Sequence, residues 1–322
     1  MGERTYIEKA NHFTEEKIRA LKLAFSELLA DSDYTDKITI VATGSYGRRE
    51  ASERSDLDLF IILDLDEPAE DVIADELAGI DEIVNEQVPA AVGTTGTFGS
   101  DAVISFSEMA SPIGGPEDTN TAMTRRMLFL LEGTWLYGEE RFLGYQKKLL
   151  EKYLKPSSPK ARIPRFLLND IIRYYRTITT DFEHKVTEQR KPWGLRNIKL
   201  RFSRNLLYFG GVIVAAELAG LSHDEKLHRA AELFHIPVLD RIREVGGAER
   251  AERLTSIYEK FVASVSDPEI RDALVAVKRE NRQESGEYQS LRSLSERFTD
   301  ELDVWLSGRY KRDHPIHQTL IF

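Results

Sequence analysis

Gly44-Ser45-Tyr46-Gly47-Arg48-Arg49-Glu50, followed a few residues on by Ser55-Asp56-Leu57-Asp58-Leu59, is the stretch whose reading decides the fold. Before it lies Lys37–Thr43, KITIVAT, whose β-branched residues predict a strand. It runs straight into Gly44-Ser45, a loop signal. After it, Asp56–Leu63, DLDLFIIL, predicts a second strand. Alternate strand residues point the same way, so Asp56 and Asp58 are expected on one face and Leu57 on the other.

These residue types suit one chemistry. Nucleotidyl transfer must neutralise a triphosphate and deliver an acceptor oxygen in line with the α-phosphorus. Two divalent ions held by carboxylates do this. Mg²⁺ prefers hard oxygen ligands and keeps coordination places for phosphate and water. Asp56 and Asp58 are the candidate ligands for Mg²⁺ or Mn²⁺. Gly44 would let the backbone approach the phosphates, and Ser45 would offer them its hydroxyl and N–H. Arg48 and Arg49 are candidates for charge-assisted bonds to phosphate, although Glu50 could instead pair with the second arginine. Taken singly, an Asp-x-Asp is usually a solvated strand edge and a Gly-Ser usually a turn. Their order, with a strand on each side, supplies the context that gives the motif weight.

Working outward, Glu15–Ala30 has helical periodicity with Thr14 as its expected cap. Pro68–Val88 reads as an acidic helix, Ala90–Phe106 as further strands, and Asn120–Tyr137 as a helix. Beyond Glu139 almost the whole chain is helical in pattern. The Pro- and Ser-containing stretch Lys155–Pro164, KPSSPKARIP, marks a boundary. The expected fold is therefore α+β, a small mixed-sheet domain over residues 1–155 followed by an all-helical domain over 156–322.

Composition bounds the function. The chain has no cysteine, which removes disulfides, thiolate metal sites and cysteine nucleophiles. A net charge of −10 argues against a partner that is an extended nucleic acid. The N-terminus, MGERTYIEKANHF, lacks an apolar signal core. The most apolar run, Leu206–Leu221, is short for a membrane span and contains Glu217, so it reads as a buried helix. The expectation is a cytoplasmic protein without a membrane partner. Gly210-Gly211 within that run predicts close helix packing, inside one chain or between copies of a homo-oligomer.

At these motifs the sequence resembles the DNA polymerase β superfamily of nucleotidyltransferases. Within it, GSYGRRE and SDLDLFIIL are most similar to the uridylyltransferase domain of the PII-protein uridylyltransferase family. That family has a Gly-Gly/Ser-Tyr-Gly-Arg-Gly-Glu loop and a Ser-Asp-Ile-Asp-Leu strand; Arg49 stands where it has Gly. Trp193-Gly194-Leu195-Arg196-Asn197-Ile198 is similar to the family's Gly-Gly-Leu-Arg-Asp-Ile, departing at Trp193 and Asn197. LFLLEGTWLYGEE, Leu128–Glu140, is a weaker match to a family helix end. The resemblance implies a stand-alone transferase, without the phosphohydrolase and sensing domains of the PII enzymes.

The superfamily also implies a third carboxylate. Asp101 is the first choice, Glu108 the second, and Asp118 reads rather as a helix cap. Arg125 and Arg126 read as a solvated helix face or as phosphate contacts. Arg196 and Lys199 share a helix face in an otherwise acidic chain and are candidates for binding the triphosphate or substrate. The leading expectation is an enzyme that moves a nucleoside monophosphate from an NTP to an acceptor and releases pyrophosphate. The acceptor would be a protein, a small molecule or a nucleotide. The alternatives are a nucleotide sensor that has lost catalysis and an interaction module of the antitoxin or defence type.

Overall fold

The computed structural model describes residues 5–65, 70–88, 90, 103–156, 162–187 and 192–321. Two compact units divide the chain, residues 1–150 and 151–322. The first unit holds α1 (Tyr6–Leu28), β1 (Ile38–Ala42), a single turn α2 (Gly44–Gly47) and β2 (Leu59–Leu63). These are followed by α3 (Ala74–Gln87), β3 (Val103–Ile104), α4 (Phe106–Ala110), α5 (Asn120–Glu132) and β4 (Thr134–Tyr137). Helix α6 (Glu139–Tyr153) ends across the boundary.

The four described strands form one mixed sheet in the order β3-β2-β1-β4. β1 runs antiparallel to β2 and β4, and β2 runs parallel to β3. Every residue of β1 and β2 is buried, which explains why both read as continuous apolar runs rather than alternating ones. Helix α1 covers the sheet, placing Ile18, Leu21, Phe25 and Leu29 in one cluster with Ile38, Ile40, Leu59, Ile61 and Leu63. An α+β domain with helices following it is the fold the sequence predicts.

Several local expectations are corrected. Helix α1 starts at Tyr6, not Glu15, because Thr5 and Glu8 form a capping box. Thr14 lies inside the helix, fully buried. Its hydroxyl donates to the Ala10 carbonyl and accepts from the Ala51 amide at 3.0 Å, tying α1 to the chain beyond the loop. The predicted helix over Asn120–Tyr137 ends at Glu132, and Thr134–Tyr137 turns out as β4 beside β1. Gly133 divides them, since a Cβ there would overlap the Phe129 carbonyl. The second strand begins at Leu59, leaving Asp56, Leu57 and Asp58 as its lead-in.

The second unit is helical: α7 (Arg165–Thr187), α8 (Trp193–Lys199), α9 (Asn205–Glu217), α10 (His223–His235), α11 (Val238–Gly246), α12 (Ala248–Ser266), α13 (Pro268–Ala276), α14 (Gly286–Arg309) and α15 (Pro315–Thr319). A π-helical turn, Leu200–Arg204, joins α8 to α9. Helix α9 is buried on nearly every side, as its apolar run predicts. No helix among the described residues is long and apolar enough to cross a membrane. A Cβ on Gly210 would overlap Val238 of α11, so the close packing predicted for this glycine is made within the chain.

Candidate active site

The site is built where β1 hands over to β2. The ladder continues one step past the strands, with the Thr43 amide donating to the Asp58 carbonyl at 2.8 Å. The chain then turns sharply, with Gly44 in the left-handed region at φ 66°. A Cβ on Gly44 would stand 2.5 Å from Asp58 Oδ2. The backbone angle favours glycine here, and a Cβ would oblige the Asp58 carboxylate seated against it to move. Gly47 is required for another reason, since a Cβ there would overlap the carbonyl oxygen of Glu132 at the end of α5. Between them, Ser45 is the one residue of Gly44–Arg48 that keeps partial exposure.

Asp56 and Asp58 are both half-buried, and Leu57 between them is fully buried in the core. This alternation matches two carboxylates turned one way and an apolar side chain turned the other. Tyr46 is fully buried, and its hydroxyl has no hydrogen-bond partner among the described residues. Burial, and then the charge of Asp56, push that hydroxyl up to about 12.

The two arginines of the motif are engaged within the unit. Arg48 is buried; its Nε donates to Glu50 Oε1 at 2.6 Å and its Nη1 donates to Glu132. The acidic residue of the loop therefore pairs with the first arginine, in the interior, rather than with the second at the surface. Arg49 adopts φ 62°, the one positive value at a non-glycine among the described residues. This is the position at which the resembled family carries Gly. Its side chain donates to Glu15, to the Tyr46 carbonyl at 3.0 Å and to Thr134 at 3.0 Å. These contacts hold α1, the loop and β4 together and offset the cost of the left-handed backbone.

The candidates for a third carboxylate fare differently. Asp101 lies outside the described residues. Glu108 completes a capping box with Ser105 at the start of α4, accepting from the Ser105 amide at 2.9 Å. Asp118 is not the cap of α5, which is Thr119. It is buried, accepts from the Gly114 amide at 2.9 Å and receives Arg126 at 3.0 Å. Arg126 is fully buried and also donates to the Met109 carbonyl, so it forms neither a solvated face nor a phosphate contact. Arg125, one residue before it, is half-buried. Burial holds its guanidinium below the usual range, against the charge of Glu108.

In the second unit, Arg196 and Lys199 are half-buried in the last turn of α8, just before the π-turn. Arg201 within that turn donates to Asn197 Oδ1 at 2.9 Å, and the Tyr288 hydroxyl donates to the same oxygen at 2.9 Å. Asn197, which departs from the Asp of the resembled motif, thus receives two donors.

Among the described residues no group of three or more acids or histidines converges as a complete metal cage. Asp56 and Asp58 nevertheless fit a partly solvated Mg²⁺ site, because such ions are commonly held by one or two carboxylates with the substrate's phosphates supplying the rest.

Residues 18–112 match the family model described as Nucleotidyltransferase domain. The match covers the second half of α1, the Gly-Ser turn, the Asp-x-Asp and β3, and it supports the polymerase β-type superfamily for this part of the chain. A comparison with curated proteins finds no match.

Proposed function

We propose that the first unit is a divalent-metal-dependent nucleotidyltransferase. It moves a nucleoside monophosphate from an NTP to an acceptor hydroxyl or phosphate and releases pyrophosphate. The observation that carries this is the seat of the Asp58 carboxylate against Gly44, at the turn between two antiparallel strands within the matched domain. Asp56 and Asp58 would hold Mg²⁺, or Mn²⁺, which when bound neutralises the triphosphate and activates the acceptor oxygen. Ser45 and the first amides of the Gly44–Gly47 turn would bind phosphate oxygens, since the opening amides of a helical turn have no partner within it. Arg48 and Arg49 are assigned to holding the loop, because Glu50, Glu132 and Glu15 already take up their guanidinium groups. Arg196 and Lys199 are proposed as anion contacts of the second unit. Asp101 is proposed as the third carboxylate, because Glu108 and Asp118 are engaged elsewhere.

The engagement of those two acids also favours a second reading, a sensor that binds Mg²⁺-nucleotide without transferring it. Pyrophosphate release separates the two. The purified protein is incubated with each of the four NTPs, α-labelled, with Mg²⁺ or Mn²⁺. UTP comes first, given the likeness to uridylyltransferases. Turnover that is lost in Asp56→Ala/Asp58→Ala supports the transferase. Binding without turnover, also lost in that variant, supports the sensor. Neither binding nor turnover would sink both.

A further inference from the structure

The side chain of Tyr46 raises a question that its ring does not. The ring fills the core beside Ile18, Leu21, Phe25, Ala51 and Leu57, a task phenylalanine would perform equally well. The hydroxyl adds nothing to that packing. It is out of reach of solvent and has no hydrogen-bond partner among the described residues. A buried hydroxyl left in this state lowers stability, and buried polar groups are normally satisfied. The charged group that acts on it is Asp56, itself half-exposed and so able to change rotamer. Carboxylates that ligate a metal are as a rule hydrogen-bonded on their other oxygen, which fixes their orientation.

We infer that Tyr46 is a positioning residue, whose hydroxyl donates to the Asp56 carboxylate when that carboxylate holds the divalent ion. The inference rests on the reading of Asp56 as a metal ligand. The hydroxyl has no partner among the described residues, and an Asp56 carboxylate turned toward it would supply the acceptor. Its removal should therefore act in opposite directions on the metal-free and metal-bound states, which a purely structural tyrosine would not do.

The test compares full-length wild type with Tyr46→Phe, using Mn²⁺ alone as the probe. Mn²⁺ affinity is followed by electron paramagnetic resonance, and thermal stability is measured in chelator. The expected result is a melting temperature in chelator equal to wild type or higher, with Mn²⁺ affinity weakened about 10- to 100-fold. Asp56→Asn should abolish most Mn²⁺ binding, and adding Tyr46→Phe to it should have little further effect. Mn²⁺ affinity unchanged in Tyr46→Phe would overturn the role of Tyr46 alone. So would a lower melting temperature in chelator, which would mark the hydroxyl as structural. Absence of Mn²⁺ binding by wild type would overturn the reading of Asp56, and the role of Tyr46 with it.

Discussion

Two acidic regions of the first unit invite comparison. In the lead-in to β2, Asp56 and Asp58 are half-exposed, and Asp58 is seated against a bare glycine. In the segment from β3 to α5, Glu108 caps a helix and Asp118 meets Arg126 in the interior. All four acids lie near loops or element ends, and in sequence they look alike. What separates them is the company they keep. An acid closed off among amides and a guanidinium is out of reach of a metal, whereas Asp56 and Asp58 keep partial exposure at the head of a strand. Arg48 and Arg49 likewise have partners within the unit, Glu50 and Glu15 among them.

The largest effect should come from breaking the buried pair of the second region. Asp118→Ala removes the carboxylate that Arg126 meets in the interior, where the guanidinium has no exposure, at a cost of about 3–5 kcal/mol. Urea unfolding would measure it, and an unfolding free energy equal to wild type would contradict the structural assignment. Gly47→Ala comes next, because its Cβ must push the end of α5 away. About 1–3 kcal/mol is expected. Gly44→Ala should differ in kind. Its backbone cost is about 1–2 kcal/mol, but the displaced Asp58 carboxylate should cost metal and nucleotide binding well beyond the loss of stability. Calorimetric titration beside a melting curve separates the two effects.

Arg49 sharpens the comparison further. Arg49→Gly should be more stable than Arg49→Ala by about 1–2 kcal/mol, because both lose the side-chain contacts but only alanine keeps the left-handed strain. Either change should also let the Lys22 amine rise. Burial, and then the charge of Arg49, hold it down to about 8. A proton titration followed by NMR would register the rise. The smallest effect belongs to Glu108. Glu108→Gln should preserve the cap and leave turnover intact, while Glu108→Ala should cost about 1 kcal/mol. Turnover abolished by Glu108→Gln would break the contrast between the two regions and make Glu108 the third carboxylate.

Much of the fold was legible because β1 and β2 are β-branched runs bounded by Gly-Ser and polar turns. Strand β4 was not. TWLY follows a helix with only one glycine between them, and its place beside β1 depends on pairing across almost a hundred residues. Gly44, Ser45, Asp56 and Asp58 could be picked out because strand order and spacing carry that signal. The engagement of Arg48 with Glu132 could not, since an arginine that binds phosphate and one that holds a loop are written with the same letter. Tyr46 was passed over for a related reason. As an aromatic inside a motif it reads as packing, and only its unsatisfied hydroxyl, visible in three dimensions, sets it apart.

The most direct test of the central claim is a crystal structure of the full chain with Mn²⁺ and a non-hydrolysable NTP analogue, with the metal located by anomalous scattering. The account predicts Mn²⁺ coordinated by both Asp56 and Asp58, with the triphosphate against Gly44 and Ser45. Nucleotide bound with Mn²⁺ on other residues, or with Asp56 and Asp58 left uncoordinated, would contradict it.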